Sequence, residues 1–498
     1  MDLILACTSF LPAPGMSTWG TPESDVAHAT LGLAKGLRAL GHRATIVAPL
    51  DESLAHSGVA LSRKLSPLKF DLSGKEQSRI LFEAKLPSGV EVVLLSGDPP
   101  SESTSPEDHA RRCALFGHAV AAYARQRMAS VSGASSSEPE LEAVVAVGEG
   151  AAFVPFAIRE DAKVLAHDGG PSPKLLAGLA RIAIPLDPAA DRKLPRASLS
   201  TIGVADDLFS PEGIEFYGDA SLTKAAAIAA DRIVALGEAP RLALLQVGAP
   251  HRFDGVYRAR GNDVVSIGSG IDHAQYNPAT DPHTSARFDH DDLLGKERGK
   301  SSLLAELELD AGTDAPLAVV ASSGLEPGSA AAISSALGKA LRGELSAIVV
   351  LARPRTDHAD DAALDKLARA HPGRVIVKWS ATEALLHRAL AAADLAVVFD
   401  PHGATATPVR AAMRYGAVPV AQRTPAIDEA VVDLEATLAS GTGFLFADGP
   451  ELFAALQRGV SAHRGRGFRA LQRRVMRHEG GWERAARRLA HLIQQIEG

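Results

Sequence analysis

The segment Val397–Val420, with the sequence VVFDPHGATATPVRAAMRYGAVPV, contains the pattern that decides the fold. A short apolar run comes first, and a loop containing Asp, Pro, His and Gly follows it. A helical stretch then ends near Tyr415 and Gly416, and GAVPV begins a second apolar run. Strand, loop, helix and strand in this order predict a βαβ unit with two parallel strands. In such a sheet the loop after the first strand lies at the carboxyl edge, where ligands bind.

The same alternation recurs through both halves of the chain. The first half offers the predicted strands LILACTSF, RATIVAPL, VEVVLLSG, EAVVAVG, KVLAHDGG and ARIAIPL. The second half offers APLAVVASSG, ELSAIVVLARP, GRVIVKWS, ADLAVVFD and GAVPVAQ. Helical patterns separate these runs, so the sequence predicts two α/β domains, each with a doubly wound parallel sheet. We expect the hinge between them near residues Ser269–Pro282.

The composition is that of an ordinary globular protein. A chain of 498 residues is too long for one core, and its 46% apolar and 22% charged residues are typical values. A net charge of −7 argues against a nucleic-acid or anionic-membrane partner. Cys7 and Cys113 are too few for a disulfide framework or a metal cluster. Because no apolar run approaches the ~18 residues of a spanning helix, we expect a cytoplasmic protein.

Several longer strings resemble bacterial glycogen synthases and plant starch synthases. They follow the order of that family through nearly the whole chain: LFSPEGIEFYGDASLTKAAAIAADRI (residues 208–233), SGIDHAQYNPATDP (269–282), AMRYGAVPVAQRT (412–424), GTGFLF (441–446) and WERAARR (482–488). The resemblance implies a GT-B fold, in which two Rossmann-like domains face each other across a cleft. It implies an acceptor-side domain over residues 1–268 and a nucleotide-sugar-side domain over 269–480. The amphipathic pattern of residues 481–498 predicts a last helix that packs across the domain joint.

The resemblance also implies a reaction. Members of this family transfer glucose from ADP-glucose to an α-1,4-glucan with retention of configuration, and they need neither a metal nor another cofactor. Without a metal, the protein itself must supply the cations and amide donors that stabilise the charge on the leaving diphosphate. ADP-glucose and an α-glucan are therefore the partners that the resemblance implies.

The chain lacks the ionisable residues that the family places around the diphosphate. The family Lys in the loop after the first strand corresponds to Pro22, and the family His of the first domain corresponds to Pro185. The Arg and the Lys that follow the first strand of the second domain correspond to Ser322 and Pro327. These four catalytic positions of the family are therefore expected to be lost.

Two assignments have alternatives. FDPHG matches the family string Phe-Glu-Pro-Cys-Gly, which makes Asp400 the counterpart of the catalytic Glu. Counting back without gaps from Met413 places Gly403 at that position instead. His167, beside Asp168, is a candidate replacement for the lost family His, and its alternative is a solvated turn residue.

The remaining candidates for contact with substrate or nucleotide lie in the second half. They belong to the FDPHG loop, to the carboxyl ends of predicted strands or to the GTGFLF string: His402, Gly403, Arg410, Arg353, Arg355, Thr442 and Gly443. The three arginines are the cations that could replace the lost phosphate ligands.

The sequence thus predicts a glycogen/starch synthase-like glycosyltransferase whose ADP-glucose transfer is severely impaired or absent, a pseudoenzyme. One alternative is a glycosyltransferase with relocated cations or a different donor. The other is a non-catalytic homologue that binds a glucan, a nucleotide or an active synthase partner, or that forms a homo-oligomer.

Overall fold

The computed structural model describes residues 1–10, 21–51, 59–97, 99, 105–131, 140–167, 176–321, 329–342, 345, 347–352, 359–399, 403–435, 437–478 and 480–497. The chain divides into two compact units. Unit 1 contains the N-terminal strand, Pro22–Ser269 and Trp482–Gly498, and unit 2 contains Gly270–Gly481.

The helices alternate with the strands along most of the chain. The strands are β1 (Asp2–Ala6), β2 (Arg43–Pro49), β3 (Ser62–Arg63), β4 (Leu68–Leu72), β5 (Lys75–Arg79), β6 (Leu81–Lys85), β7 (Glu91–Leu95), β8 (Leu141–Val147), β9 (Ala180–Ile184), β10 (Lys193–Pro195), β11 (Glu215–Phe216), β12 (Asp219–Ser221), β13 (Arg232–Ala235), β14 (Val264–Ser266), β15 (Leu317–Ala321), β16 (Ala347–Ala352), β17 (Val375–Trp379), β18 (Leu395–Val398), β19 (Val418–Gln422) and β20 (Phe444–Phe446). The α-helices are α1 (Pro22–Ala39), α2 (Pro106–Val131), α3 (Val154–His167), α4 (Leu222–Ala229), α5 (Glu238–Leu245), α6 (Asp254–Ala259), α7 (Leu294–Glu306), α8 (Ser329–Leu341), α9 (Ala359–Ala370), α10 (Glu383–Ala392), α11 (Thr407–Arg414), α12 (Pro425–Ala430), α13 (Gly449–His463), α14 (Phe468–Met476) and α15 (Glu483–Glu497).

Unit 1 is built on a mainly parallel sheet. Within the described residues its strand order is β14-β13-β9-β8-β1-β2-β7-β6-β3, and β6 and β3 join the edge in antiparallel pairing. The central strand β1 is buried along its whole length. Leu3 and Leu5 enter one core cluster while Ile4 and Ala6 enter another, because successive side chains of a strand point to opposite faces. A strand covered on both faces therefore has a continuous apolar sequence.

The C-terminal helix α15 packs against α1 in unit 1. Gly32 makes this contact possible, because a Cβ atom at that position would lie 2.3 Å from the indole of Trp482. Leu489 and Ile493 of α15 lie in the same core cluster as Leu33 of α1. The segment that contains WERAARR is therefore part of the hydrophobic core of unit 1.

One predicted strand is wrong. KVLAHDGG, residues 163–170, was expected to form a strand, but Lys163 to His167 form the last turns of α3. A short apolar run does not distinguish a strand from the end of a helix. The apolar residues upstream, which include Phe156, Ile158 and Ala162 on the buried side, set a helical period that the run continues.

Unit 2 is a parallel α/β unit. Within the described residues its sheet has the order β17-β16-β15-β18-β19-β20, with every pair of neighbours parallel. The segment Val397–Val420 forms the end of β18, helix α11 and the start of β19, as predicted. Gly416 follows the helix with φ of 68°, the left-handed conformation that glycine adopts most easily after a helix end.

Candidate functional site

The strand order of unit 1 reverses between β1 and β8. From β1 the chain continues to β2 on one side, whereas β8 and β9 lie on the other side. In open α/β sheets this switch point, at the carboxyl ends of the strands, is where ligands bind. The carboxyl ends concerned are Ala6 in β1 and Val147 in β8, which lie close to each other in the parallel pair.

Close backbone approaches shape this switch point. Gly148, directly after β8, has φ of 76°, and a Cβ atom there would lie 2.6 Å from the Val26 side chain in α1. A Cβ atom at Gly150 would lie 2.4 Å from Thr8 Oγ1, in the loop after β1. The loop after β8 can pass this close to α1 and to the β1 loop only because glycine has no side chain.

Helix α1 begins at the same edge, and its first turn is acidic. Pro22 is the first helical residue and is exposed, while Glu23 and Asp25 follow in the first turn. Proline has no backbone N–H and no charge to offer a ligand. Carboxylates at the positive end of a helix occupy the position where an anion would otherwise be stabilised. Pro22 therefore brings no cation to the start of α1.

Glu149 is a buried carboxyl group that the sequence analysis missed. Its Oε1 atom accepts hydrogen bonds from the backbone N–H groups of Leu186 at 2.9 Å and Asp187 at 2.8 Å. Burial raises the pKa of Glu149 to about 7, although these backbone hydrogen bonds work in the opposite direction. Its position directly after a predicted strand, between Gly148 and Gly150, was the signal that could have identified it.

A small cavity of about 20 Å³ connects Glu149 with one of the predicted positions. Pro185, Thr223 and Tyr257 line this cavity together with Glu149. Tyr257 is 1% exposed, and its hydroxyl group has no hydrogen-bond partner among the described residues. Burial raises the pKa of Tyr257, and the charge of Glu149 adds to this effect. Pro185 occupies the family His position, and its side chain has no hydrogen-bond donor or acceptor.

In unit 2 the corresponding switch point lies between β15 and β18. These two strands pair in parallel. From β15 the chain adds β16 and β17 on one side, and from β18 it adds β19 and β20 on the other side. Most of the predicted site residues follow these strands or β16 directly in the sequence. The candidates that lie outside the described residues are Ser322, Pro327, Arg353, Arg355, Asp400, His402 and, in unit 1, Asp168.

The part of the FDPHG loop that the structure describes is tightly packed. Gly403 is buried, and the hydroxyl oxygens of Thr405 and Thr407 lie 2.8 Å apart in a hydrogen bond. Ala406 precedes helix α11 with φ of 52°, a left-handed conformation that costs a non-glycine residue about 1 kcal/mol or more. Strain of this kind often marks a functional loop.

Arg410 lies inside unit 2. Only 5% of Arg410 is exposed. Burial lowers the pKa of Arg410 to about 10, and the charge of Glu429 acts against this shift. A guanidinium group held inside the core is poorly placed to meet a diphosphate from solvent.

Thr442 and Gly443 have clear structural contacts. Thr442 donates its backbone N–H to the carbonyl of Val432 at 2.7 Å, and its hydroxyl accepts from the N–H of Val432 at 3.0 Å. A Cβ atom at Gly443 would lie 2.7 Å from the side chains of Pro419 and Val431. Thr442 therefore joins the start of β20 to the segment after α12, and Gly443 allows close packing against Pro419 of β19.

One group of side chains has ligand atoms close enough to hold a metal ion. In the described part of the chain these residues are Asp289, His290 and Asp291, whose ligand atoms lie within 4.8 Å of one another. Asp289 Oδ1 already accepts the backbone N–H of Asp291 at 2.8 Å, and Asp291 forms an ion pair with Arg477 at 2.9 Å. We therefore assign no metal to this surface turn.

Comparison with curated proteins returns bacterial glycogen synthases. The enzyme of Anaeromyxobacter dehalogenans (strain 2CP-C) is 30% identical over 308 residues, which cover 61% of this chain and 63% of that protein. The enzyme of Burkholderia thailandensis (strain ATCC 700388 / DSM 13276 / CCUG 48851 / CIP 106301 / E264) is 34% identical over 276 residues, 53% of this chain and 50% of that protein. The chain is thus similar to glycogen synthases over 53% to 61% of its length. Its matches to these two relatives span less than two thirds of their length, and no family model matches it.

A glycogen synthase relative should have the GT-B fold, and the solved structures agree. The catalytic domain of starch synthase IV from Arabidopsis thaliana, solved with ADP and acarbose, matches with a TM-score of 0.83 at 20% identity and covers 100% of this chain. Sucrose-phosphate synthase from Thermosynechococcus elongatus matches with a TM-score of 0.58 at 12% identity. The GT-B fold predicted from the sequence is therefore confirmed. Among the described helices, none is both long and apolar enough to cross a membrane.

The strings that resemble glycogen synthases hold the scaffold together. In the string of residues 208–233, the buried Lys224 donates from Nζ to the carbonyl oxygens of Pro211 and Glu215, each at 2.6 Å. In unit 2, Tyr415 donates its hydroxyl hydrogen to Asp281, and His387 Nδ1 lies 2.8 Å from the same carboxyl oxygen. Asp281 and Tyr415 belong to two different matched strings, so this buried network joins distant parts of the sequence.

Proposed function

We propose that this protein is a glycogen/starch synthase-like homologue whose transfer of glucose from ADP-glucose to an α-1,4-glucan is severely impaired or absent. The observation that supports this proposal is the start of helix α1. The position that the resemblance assigns to a phosphate-binding Lys is Pro22, and Glu23 and Asp25 follow it in the first turn. A negative first turn repels the diphosphate that this loop would have to hold.

The expected loss is large because each cation at a leaving phosphate matters. Removing one such donor typically lowers a rate by a factor on the order of 10²–10³. A unit charge 4 Å from another is worth about 4 kcal/mol at an effective dielectric constant near 20. The family positions at Pro22, Ser322 and Pro327 hold no cation in this sequence, and the buried Arg410 is a poor substitute.

The alternative within the same family is a non-catalytic homologue that binds a glucan, a nucleotide or an active synthase. The matched strings favour this alternative over a synthase with a different donor. They include the contacts of Lys224 and of Asp281 with Tyr415, which stabilise the fold. Retention of a scaffold without the residues of its chemistry is expected of a binding protein.

The test combines calorimetry and an activity assay. The full chain is titrated with ADP and with ADP-glucose, and transfer of radiolabelled glucose to glycogen is measured beside an active bacterial glycogen synthase. We expect no transfer above background. Turnover within about tenfold of the enzyme median of ~10 s⁻¹ would overturn the proposal. Binding of ADP or glycogen without turnover would support the non-catalytic homologue.

A gain-of-function variant tests the reason for the loss. The variant with Pro22→Lys, Ser322→Arg and Pro327→Lys returns a cation to each of three family positions. We expect it to bind ADP more tightly than the unmodified chain does. Unchanged ADP affinity in a folded variant would contradict the explanation by missing positive charge.

A further inference from the structure

A separate pocket in unit 1 lies at the carboxyl ends of β2 and β7. Pro49 and Leu95, the last residues of these strands, line it, and its volume is about 40 Å³. Three arginines line the same pocket, Arg79, Arg111 and Arg112. Like charges repel each other at short distance, so guanidinium groups gathered in one small pocket are stabilised by anions.

Two of these arginines are held by one carboxylate. Asp108, in the first turn of α2, accepts from Arg111 Nη2 at 2.6 Å and from Arg112 Nε at 2.7 Å. Arg112 also donates from Nη1 to the carbonyl oxygen of Pro99 at 3.3 Å. Asp108 therefore fixes the direction of both side chains while it compensates at most one of their two charges.

The third arginine is positioned from another element. Arg79, at the end of β5, donates from Nη1 to the carbonyl of Ser78 at 2.9 Å, and its guanidinium carbon lies 5.9 Å from the centre of the Phe70 ring. Gly97 has φ of 131°, and a Cβ atom there would lie 2.9 Å from Arg79 Nε. A glycine at this position thus leaves room for the guanidinium group beside the backbone.

We propose that this pocket binds a phosphate monoester through Arg79, Arg111 and Arg112. Guanidinium groups bind phosphate oxygens in pairs of parallel hydrogen bonds, which suits a cluster of forks with restricted directions. A volume of about 40 Å³ gives space for roughly three water molecules, close to the size of a tetrahedral oxyanion. The site lies at the carboxyl edge, where ligands of parallel sheets bind. It does not depend on whether the protein transfers glucose.

The shared chemistry is the phosphate monoester, and two sources can supply it. One is a free phosphorylated sugar, and the other is a phosphate group on an α-glucan chain. The pocket is tested by calorimetry on the full chain with four probes: inorganic phosphate, glucose 6-phosphate, a phosphorylated malto-oligosaccharide and the same oligosaccharide without phosphate.

The variants are chosen to change binding in opposite directions. Arg79→Gln combined with Arg111→Gln removes two cations and is expected to weaken phosphate binding at least tenfold, since each hydrogen bond to a charged group contributes at least about this much. Asp108→Asn removes the competing carboxylate and is expected to strengthen binding several-fold. Tighter phosphate binding cannot result from misfolding. The Asp108→Asn variant therefore still tests the proposal if the double variant folds poorly. The matched control is Arg196→Gln, because Arg196 is an exposed arginine of unit 1 paired with Asp206.

The results distinguish the two sources of the phosphate monoester, and they show when the proposal is wrong. Tighter binding of glucose 6-phosphate than of inorganic phosphate assigns a free sugar phosphate, and tighter binding of the phosphorylated oligosaccharide assigns a glucan phosphate. Binding of inorganic phosphate alone, lost in the double variant, supports a simple phosphate site. No saturable phosphate binding overturns the proposal, as do equal affinities in the double variant and the Arg196→Gln control. Equal affinity for the unphosphorylated oligosaccharide also overturns it.

Discussion

The ammonium group of Lys296 donates a hydrogen bond of 2.8 Å to the backbone carbonyl of Tyr415, at the end of helix α11. The same group lies 3.0 Å from the carbonyl of Ala391 and 3.4 Å from that of Leu390, in the last turn of α10. Carbonyl groups at a helix end lack partners within the helix. One buried lysine therefore supplies a hydrogen-bond donor to the ends of two helices.

We predict that Lys296→Met destabilises the protein by about 3 kcal/mol, because buried carbonyl groups would lose their donor. Burial lowers the pKa of Lys296 from 10.5 to about 7. The unfolded chain then binds more protons than the folded protein between these pH values, so the unfolding free energy should rise with pH across this window. Urea unfolding at several pH values measures both effects, with the exposed Lys366→Met as the control. Equal stability of the two variants would show that the helix ends do not need this donor.

Asp394 should carry an acid-sensitive part of the stability of unit 2. Its Oδ2 atom accepts from Lys300 Nζ at 2.6 Å and from the N–H of Leu317 at 3.0 Å, and His463 Nε2 lies 3.4 Å away. Burial alone would raise the pKa of Asp394, but the hydrogen bond from His463 and the charge of Lys300 lower it from 3.8 to about 2. This stabilisation is complete above pH 3.8 and is lost as the pH falls through about 2.

We predict that Asp394→Asn lowers the unfolding free energy at pH 7 by about 3–5 kcal/mol, because a buried ammonium group would lose its partner. Asp206→Asn breaks the exposed pair with Arg196 and is expected to change stability far less. Chemical denaturation of both variants measures the difference. The account fails if the two substitutions cost the same.

Glu149 should make the stability of unit 1 depend on pH in the opposite direction to Asp394. Burial raises the pKa of this carboxyl group from 4.5 to about 7, so the folded protein holds the proton more tightly than the unfolded chain. The unfolding free energy should therefore fall as the pH rises from about 4.5 to about 7, by roughly 3 kcal/mol in total. Glu149→Gln removes this titration and should flatten the profile of melting temperature against pH. The exposed Glu140→Gln is the control, and an unchanged profile in Glu149→Gln would contradict the assignment.

Two glycines of unit 1 test whether α15 depends on close packing with α1. Gly32→Ala would place a Cβ atom 2.3 Å from the Trp482 indole, so we predict a loss of about 2–3 kcal/mol from overpacking. Gly255, in helix α6, has no neighbouring atom within 4 Å of its Cβ direction. Gly255→Ala should be neutral or stabilising by up to about 1 kcal/mol, because it restricts the unfolded chain. Comparison of the two melting temperatures decides this, and a neutral Gly32→Ala would mean that Trp482 moves aside freely.

Much of the architecture could be predicted from local sequence. The strands of unit 2 and the helix end at Tyr415 and Gly416 follow from apolar runs and from glycine, whose physical preferences are local. The prediction of a strand over Lys163 to His167 was wrong because it used only local sequence. A pattern of five residues does not show that a helix begins upstream and continues through them. Glu149 was missed because its perturbed pKa depends on burial, which the neighbours in sequence do not report.

The sequence by itself determined the alternation of strands and helices in unit 2, the similarity to glycogen synthases, and the absence of Lys or Arg at Pro22, Ser322 and Pro327. Only the tertiary structure decided which charged groups are buried and with which partners they interact. Lys296 meets Tyr415, Asp281 meets His387, and Arg79 shares a pocket with Arg111 across gaps of many residues. Local propensities act over a few residues, whereas electrostatic and hydrogen-bonding energies depend on distances in space, which exist only once the chain has folded.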